Sequence, residues 1–174
     1  MAADGELVVR AARLEDAAAI AHIYNQGIEE RIATFETDLR SVDDMRISLQ
    51  EKQGRYPVVV AEREGRVLAW AGVGPYRPRA CYDRVAEFSV YADRNARGSG
   101  AAQAALQGLI DACEKAGFTK LVSRIFPENS RSRGLCSKVG FREVGIYQRH
   151  GKLDGRWRDT VIVERLLGEA LHGR

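Results

Sequence analysis

The sequence predicts one mixed α/β domain, α+β in character, with a mostly antiparallel central sheet flanked by helices. Three observations carry this. The chain has 174 residues, enough for one hydrophobic core without disulfides or metals. Its β-prone runs alternate with segments of helical period in the order β-α-α-β-β-β-α-β-α-β-β. Two successive runs are joined by Arg63-Glu64-Gly65-Arg66, a tight turn that makes an antiparallel hairpin and excludes a purely parallel sheet. No repeat, linker or low-complexity tract divides the chain, so residues 1–174 are expected as one domain with a core over about 7–167.

Leu7 to Arg10 is a short β-prone run, and Glu15 to Ile28 places Ala18, Ile20, Ala21, Tyr24 and Ile28 at helical spacing behind acidic residues. A loop with Thr34-Phe35-Glu36-Thr37 follows. Ser41 then stands as an N-cap before Asp43 and Asp44, starting a second helix that reaches about Lys52. Pro57–Glu62 and Val67–Val73 are the hairpin strands. A polar loop over 74–83 leads to the strand Val85–Tyr91 and on to Gly98-Ser99-Gly100. From Ala101 the apolar residues Ala105, Leu106, Leu109, Ile110 and Cys113 keep a helical period until Gly117 stops it. The remainder gives a strand at 120–125, a helix at 130–139, a strand at 141–147 and a last strand at 160–166.

Composition excludes several classes of function. A hydrophobic share of 45% and a charged share of 29% are those of an ordinary globular chain. The first residues lack a basic region followed by an apolar run, and no apolar stretch approaches the roughly 18–20 residues that span a bilayer. The expectation is a soluble cytoplasmic protein without a membrane partner. Three scattered cysteines, Cys81, Cys113 and Cys136, suit a reducing compartment. A net charge of +3 is too slight for tracking a nucleic-acid backbone, and His22, His150 and His172 are too dispersed to suggest a metal. The pairs Arg77/Arg79, Arg94/Arg97 and Arg131/Arg133 suit a small anion better, although any one is ordinarily a solvated surface charge.

The passage from the strand Val85–Tyr91 through Arg97-Gly98-Ser99-Gly100-Ala101-Ala102 into a long helix carries the chemistry. Glycines let backbone approach a diphosphate closely, and a helix start offers free N–H donors and a positive dipole end. A Walker loop is excluded because Ala101-Ala102 stands where Lys-Ser or Lys-Thr is needed. A dinucleotide fingerprint is excluded by the missing third glycine and by the missing acid on the next strand. Alone, such a turn would be read as a plain helix start.

Other segments stand in order around it. Arg97-x-x-Gly100-x-Ala102 resembles the acyl-CoA pyrophosphate loop of the GCN5-related N-acetyltransferases, the GNAT superfamily. Asn129-x-x-Ser132, followed by Leu135 to Phe141 with its Gly140-Phe141, resembles that superfamily's second cofactor segment. Within it the chain is similar to the phosphinothricin acetyltransferase branch in Ile23-Tyr24-Asn25, Ala33-Thr34-Phe35-Glu36, Tyr56-Pro57, Gly74-Pro75-Tyr76-Arg77, Tyr82-Asp83, Ala86-Glu87-x-Ser89-Val90-Tyr91 and Gly155-Arg156-Trp157-x-Asp159. The resemblance implies the acyl-CoA N-acyltransferase fold and acetyl-CoA as co-substrate without a metal. It implies cofactor contacts from Phe88, Ser89, Val90, Arg97, Gly98, Ser99, Gly100, Ala101, Ala102, Asn129 and Ser132. It also implies a homodimer and detoxifying N-acetylation of a small acidic amino acid such as phosphinothricin, methionine sulfoximine or sulfone, or arsinothricin.

An α-amino group is largely protonated near neutral pH, so acetyl transfer needs a base. Glu87 is the candidate, because its apolar neighbours would desolvate it; the resemblance gives the matching acid the same role. Otherwise a glutamate on a solvated strand face would be the simpler reading. By the same resemblance, a backbone N–H near Val90 or Tyr91 serves the oxyanion, which places Tyr91 with Glu87 among the catalytic residues. Cys136 stands where relatives carry Tyr or His, and a buried thiol is a poor acid. Arg77 and Arg79 are expected to clamp the acidic substrate, with Phe35, Glu36, Tyr76, Tyr82 and Trp157 shaping its pocket. Trp70 is read equally as core and Tyr76 equally as a loop anchor, while Trp157 and Asp159 either close the pocket across a dimer interface or are structural. Acetylation of a protein N-terminus or lysine, and a non-catalytic CoA sensor, are the alternatives.

Overall fold

The computed structural model describes residues 5–173, so the ends of the expected domain, residues 1–4 and 174, lie outside the described residues. Strand β1 (Val8–Ala11) leads through a 3-10 turn at Leu14–Asp16 into α1 (Ala17–Glu30), and α2 spans Val42–Lys52. Ser41 caps α2 as its sequence implied: its hydroxyl accepts from the Asp44 N–H and its own N–H donates to the Asp44 carboxylate, both at 3.0 Å. There follow β2 (Val58–Arg63), β3 (Arg66–Pro75), β4 (Val85–Ala92), α3 (Ala101–Lys115), β5 (Lys120–Ile125), α4 (Ser130–Lys138), β6 (Arg142–Leu153) and β7 (Arg156–Leu166).

Two elements differ from expectation. The first helix was expected from Glu15, but Leu14–Asp16 is a separate 3-10 turn and α1 runs on to Glu30. More consequentially, the strands expected at 141–147 and 160–166 are one long hairpin, turning at Asp154 and Gly155 with φ of 50° and 77°. Its middle, Gln148 to Asp159, is charged and mostly exposed. An edge ribbon wetted on both faces has no hydrophobic alternation for a sequence to display.

The seven strands form one sheet in the order β1-β2-β3-β4-β5-β7-β6. Every neighbouring pair is antiparallel except β4 and β5. Side chains of period two divide between its faces. Val60 and Trp70 pack with Ala17, Ile20 and Ile23 of α1 and Leu49 of α2 on one face. Val59, Ala61, Ala69, Ala71 and Val73 meet Leu106, Leu109 and Ile110 of α3 on the other.

The start of α1 is fixed by a charge cluster. Arg10 donates to both Asp16 oxygens at 2.7 and 2.9 Å and to Glu62 at 2.9 Å. The Arg13 N–H adds a bond to Asp16 at 2.7 Å. Burial works to raise the Asp16 carboxyl, but the Arg10 and Arg13 donors outweigh it and hold the group below its ordinary 3.8. A carboxyl depressed by folding stabilises the fold above its unfolded value, and that contribution disappears as pH falls through the lower folded value. Asp16→Asn is therefore expected to lower the urea midpoint at pH 7 and to narrow its difference from the parent below pH 3.8. Equal midpoints at pH 7 would remove Asp16 from the stabilising network.

Candidate active site

Strands β4 and β5 pair only over Val85–Glu87 and Lys120–Val122. Beyond Glu87 they part, and the Ser123 hydroxyl donates to the Phe88 carbonyl at 2.9 Å where they do so. The opening is the floor of a cavity of about 480 Å³ whose wall includes Thr34, Phe35, Glu36, Val90, Phe126 and Thr160. Side chains from β4, β5, β7 and the loop after α1 thus meet at one place.

Ladder alternation decides which amides face that opening. The Val73 N–H donates to Pro57 at 3.1 Å and the Asp93 N–H to Leu68 at 2.8 Å, so odd residues of β4 point their backbone groups at β3. Even residues point toward β5. The Val90 N–H therefore faces the opening, and the Tyr91 N–H is turned away into the β3 ladder. Expected beside Glu87 as a catalytic residue, Tyr91 offers the opening no backbone donor, because the register assigns that position to Val90. Its ring stacks on Trp70 at 5.4 Å and meets Tyr24 edge-on at 5.0 Å. Gly27 makes room for it: a Cβ there would come within 2.8 Å of the ring. Burial first, then the neighbouring Tyr24 and Glu36, hold its phenol well above the ordinary value, so the Tyr91 side chain is a neutral wall.

Glu87 is not enclosed by apolar atoms as its sequence neighbours suggested. Period two sends Ala86 and Phe88 into the core and leaves the Glu87 side chain 34% exposed at the cavity rim. Its Oε1 accepts from the Arg124 guanidinium at 2.9 Å. Arg124, on β5 and never singled out in the sequence, in turn lies 3.4 Å from His150 Nε2.

A second groove, of about 360 Å³, runs between the start of α3 and α4 and is lined by Arg97, Gly98, Gly100, Ala101 and Ala102 against Arg131 and Lys138. Gly98 and Gly100 have φ of 81° and 84°, a left-handed backbone that side chains rarely adopt. Ser99 turns inward instead, its hydroxyl accepting from the Ala101 N–H at 3.3 Å. The first turn of α3 carries no other side-chain cap, so the amides beside Ala102 are left for an anion. The Arg97 guanidinium is held by Glu30.

Asn129 and Ser132 stand on the wall of the main cavity. The Asn129 carbonyl caps α4 through the Ser132 N–H at 3.2 Å, and its amide donates to the Ile32 carbonyl at 3.1 Å. Phe88 is 2% exposed and contributes its carbonyl to the fork, while its ring packs on Phe141 at 4.7 Å. Ser89 and Val90 line the cavity beside it. Thr160, which sequence reasoning missed, is 1% exposed with a hydroxyl that lacks any partner within the described residues. A hydroxyl orphaned on a cavity wall suits a polar ligand.

Of the expected substrate residues, Phe35 and Glu36 reach the main cavity, with Phe35 edge-on to Phe126 at 4.8 Å. Tyr76 and Arg77 line an adjoining cavity of about 200 Å³ that shares Glu87 and Arg124 with the first. Arg79, Tyr82 and Trp157 line neither cavity. Arg79 precedes an exposed 3-10 turn, Tyr82 packs edge-on against Tyr76 at 5.4 Å, and Trp157 is 57% exposed with Lys152 Nζ 4.7 Å over its ring. All three sit on loop or ribbon, Arg79 and Trp157 exposed and Tyr82 half-buried. The β6–β7 ribbon itself grips the loop after α1: Arg31 pairs with Asp154 at 3.1 Å, and Arg158 lies 4.1 Å over the Phe126 ring.

Cys136 also lines the main cavity, and burial pushes its thiol up to about 12, so it has no proton-donating role near neutral pH. The same burial acts on Cys113, whereas Cys81 is exposed. No cluster of three metal-binding side chains occurs among the described residues.

Residues 6–142 match the acetyltransferase (GNAT) domain family. The chain belongs to that family. It is an N-acetyltransferase with the GNAT fold, and phosphinothricin acetyltransferases are among its relatives. A phosphinothricin N-acetyltransferase of Alcaligenes faecalis is 34% identical over 161 residues, covering 91% of this chain and 82% of that protein. An L-methionine sulfoximine/L-methionine sulfone acetyltransferase of Salmonella typhimurium is 31% identical over 166 residues, covering 94% of this chain and 96% of its own length. A phosphinothricin acetyltransferase from Sinorhizobium meliloti, solved in complex with acetyl-CoA, superimposes with a TM-score of 0.89 at 31% identity, covering 97% of this chain and 92% of that one. No helix among the described residues of this GNAT acetyltransferase is long and apolar enough to cross a membrane.

Thiol burial in the enzyme is directly measurable. At pH 8 a disulfide reagent is expected to modify Cys81 rapidly and Cys113 and Cys136 only after denaturant is added. Rapid reaction of Cys136 in the native protein would show the cavity wall to be open.

Proposed function

We propose that this acetyltransferase transfers the acetyl group of acetyl-CoA to the α-amino group of a small acidic amino acid or analogue, phosphinothricin, methionine sulfoximine or sulfone, and arsinothricin among them. One observation carries the reading: the Glu87 carboxylate and the Val90 N–H stand at one opening in the sheet, on the strand that leads to the start of α3, where no side chain caps the first turn beyond Ser99. Acetyl-CoA supplies the acetyl group as an activated thioester. The residues fit it. The backbone about Gly98, Gly100 and Ala102 offers donors and a positive dipole end to a diphosphate, with Arg131 and Lys138 across the groove. The edge of Phe88, Ser89 and Val90, with Asn129, Ser132 and Thr160, lines the way from there to Glu87.

In this reading Glu87 takes the proton from the substrate ammonium, directly or through a water, and the Val90 N–H donates to the oxyanion. Cys136 holds its own proton too tightly to help the leaving thiol, which departs as thiolate with a solution pKa of about 8.5. Arg77 meets the acidic side chain from the adjoining cavity, and Phe35 and Glu36 close the opposite wall. The relatives, named for phosphinothricin and for methionine sulfoximine and sulfone, support small amino-acid analogues as the substrate class. Val144, Ile146, Tyr147 and Trp157 stand exposed on the β6–β7 ribbon and are the surface we assign to a homodimer, in which Trp157 would be covered. A cytoplasmic setting belongs to the same proposal, since acetyl-CoA is the co-substrate.

A thiol-release assay with acetyl-CoA across phosphinothricin, methionine sulfone, methionine sulfoximine, arsinothricin, common amino acids and a basic peptide tests it. Turnover is expected on the four analogues, and Glu87→Gln is expected to lower kcat by about 10²–10⁴ with little change in KM. Rapid turnover confined to the peptide would reject the proposal. Gly100→Val places a β-branched residue at φ 84°, where an L-residue costs about 1–2 kcal/mol, and moves the amides at the helix start. CoA affinity is expected to fall at least about tenfold; an unchanged affinity would take the glycine loop out of the site.

A further inference from the structure

We propose that Arg124 holds the α-carboxylate of the amino-acid acceptor and so sets its amine against Glu87, making a free carboxylate beside the amine a requirement of the reaction. This rests on the proposed function and assigns the carboxylate to a residue outside the loop over 74–83.

Position comes first. Glu87 and Arg124 lie on neighbouring strands with side chains on the same face, and the register Glu87↔Val122 puts Arg124 two residues further along, where the strands have begun to part. The guanidinium lies at the shared wall of the two cavities. An anion bound to it is within a few ångström of the Glu87 oxygen that it also holds, at 2.9 Å. In an α-amino acid the carboxylate is one carbon removed from the amine, whereas a side-chain acid is several bonds away. The α-carboxylate is the group that reaches Arg124 over the shortest span while the amine meets Glu87. Arg77, farther along the smaller cavity with its guanidinium 5.1 Å from the Tyr76 ring centre, is left for the side-chain acid.

Donor capacity comes second. Arg124 gives Nη2 to Glu87 and directs Nη1 to His150 Nε2 at 3.4 Å, a contact in which the imidazole must accept because the guanidinium has no lone pair to offer. A guanidinium carries five N–H donors in a planar fork, so two such contacts leave donors over for a carboxylate. Arg124 is 47% exposed on its side chain, and no other acid pairs with it among the described residues. Charge comes third. In the smaller cavity Arg124 and Arg77 set two positive groups beside Glu87, one for the α-carboxylate and one for an acidic side chain where the substrate has one.

The test compares methionine sulfone with its α-carboxamide, and likewise phosphinothricin with its α-carboxamide, in the parent enzyme, Arg124→Ala and Arg124→Lys. The parent is expected to discriminate against each amide by about ten- to a hundredfold in kcat/KM, the size of one charged hydrogen-bonded contact. Arg124→Ala is expected to raise KM for the free acids by a similar factor, leave KM for the amides within about twofold, and so abolish the discrimination. Arg124→Lys is expected to restore part of it, having the charge without the fork. A discrimination that persists in Arg124→Ala would overturn the assignment. An equal fall in kcat on acids and amides would overturn it too, showing that Arg124 serves only to place Glu87. If the parent turned over no free amino acid at all, the substrate reading would fall first and this proposal with it. Arg124 lies exposed at a strand end, so an unchanged melting temperature is expected in both variants.

Discussion

The parting of β4 from β5 after Glu87 and Val122 governs the rest of the site. A parallel pair inside a mixed sheet normally hands every N–H and C=O to its neighbour. Here the ladder stops after three residues, so backbone groups of β4 are left facing a cavity, and the Ser123 hydroxyl satisfies the first of them, on Phe88. Leaving backbone polar groups unpaired inside a protein costs about 1–3 kcal/mol each unless something binds them. A fork of this kind is therefore a poor structural element and a good binding edge. The fork leaves the Val90 N–H without a strand partner, and ladder alternation turns it, rather than the Tyr91 N–H, toward the opening.

The same strand leads into the second unsatisfied backbone site, the start of α3. Gly98 and Gly100 adopt left-handed conformations there, and the helix begins without a capping side chain beyond Ser99. Two open backbone regions thus lie along one edge, one suited to an anion and one to an extended polar arm. Between them Phe88 is in the core, Asn129 caps α4 and Cys136 holds its proton, while the Thr160 hydroxyl lacks a partner among the described residues. Glu87 is the acidic side chain that β4 sets at the opening, and its setting is ionic. Arg124 keeps a guanidinium beside the Glu87 carboxylate at the cavity rim, where the side chain is 34% exposed and open to a ligand.

The β6–β7 ribbon closes the other side. Gly151 packs so tightly against Phe35 that a Cβ would lie 2.9 Å from its ring, and Arg31, Asp154, Arg158 and Phe126 form a chain of contacts from the loop after α1 to β7. This holds Thr34, Phe35 and Glu36 over the opening. Trp157, near the ribbon's tip, stays exposed within one chain.

Much of this was legible in the residues. The hairpin at Glu64-Gly65, the cap at Ser41, the glycine-started helix at Ala101 and the antiparallel character of the sheet follow from local chemistry: left-handed glycines, side-chain caps and hydrophobic period are properties of a few neighbouring residues. So was the position of Glu87 on the strand before the glycine loop. What the chain order cannot contain is which strands lie side by side and which way their groups turn. Arg124 stands 37 residues beyond Glu87 and becomes its partner only because β5 lies beside β4. Thr160 reaches the cavity only because β7 pairs with β5, and the long ribbon forms without a hydrophobic signal of its own. The residue types were written locally, but their meeting, and the turning of Val90 rather than Tyr91 toward the opening, depended on sheet register, which is set by the packing of the whole core.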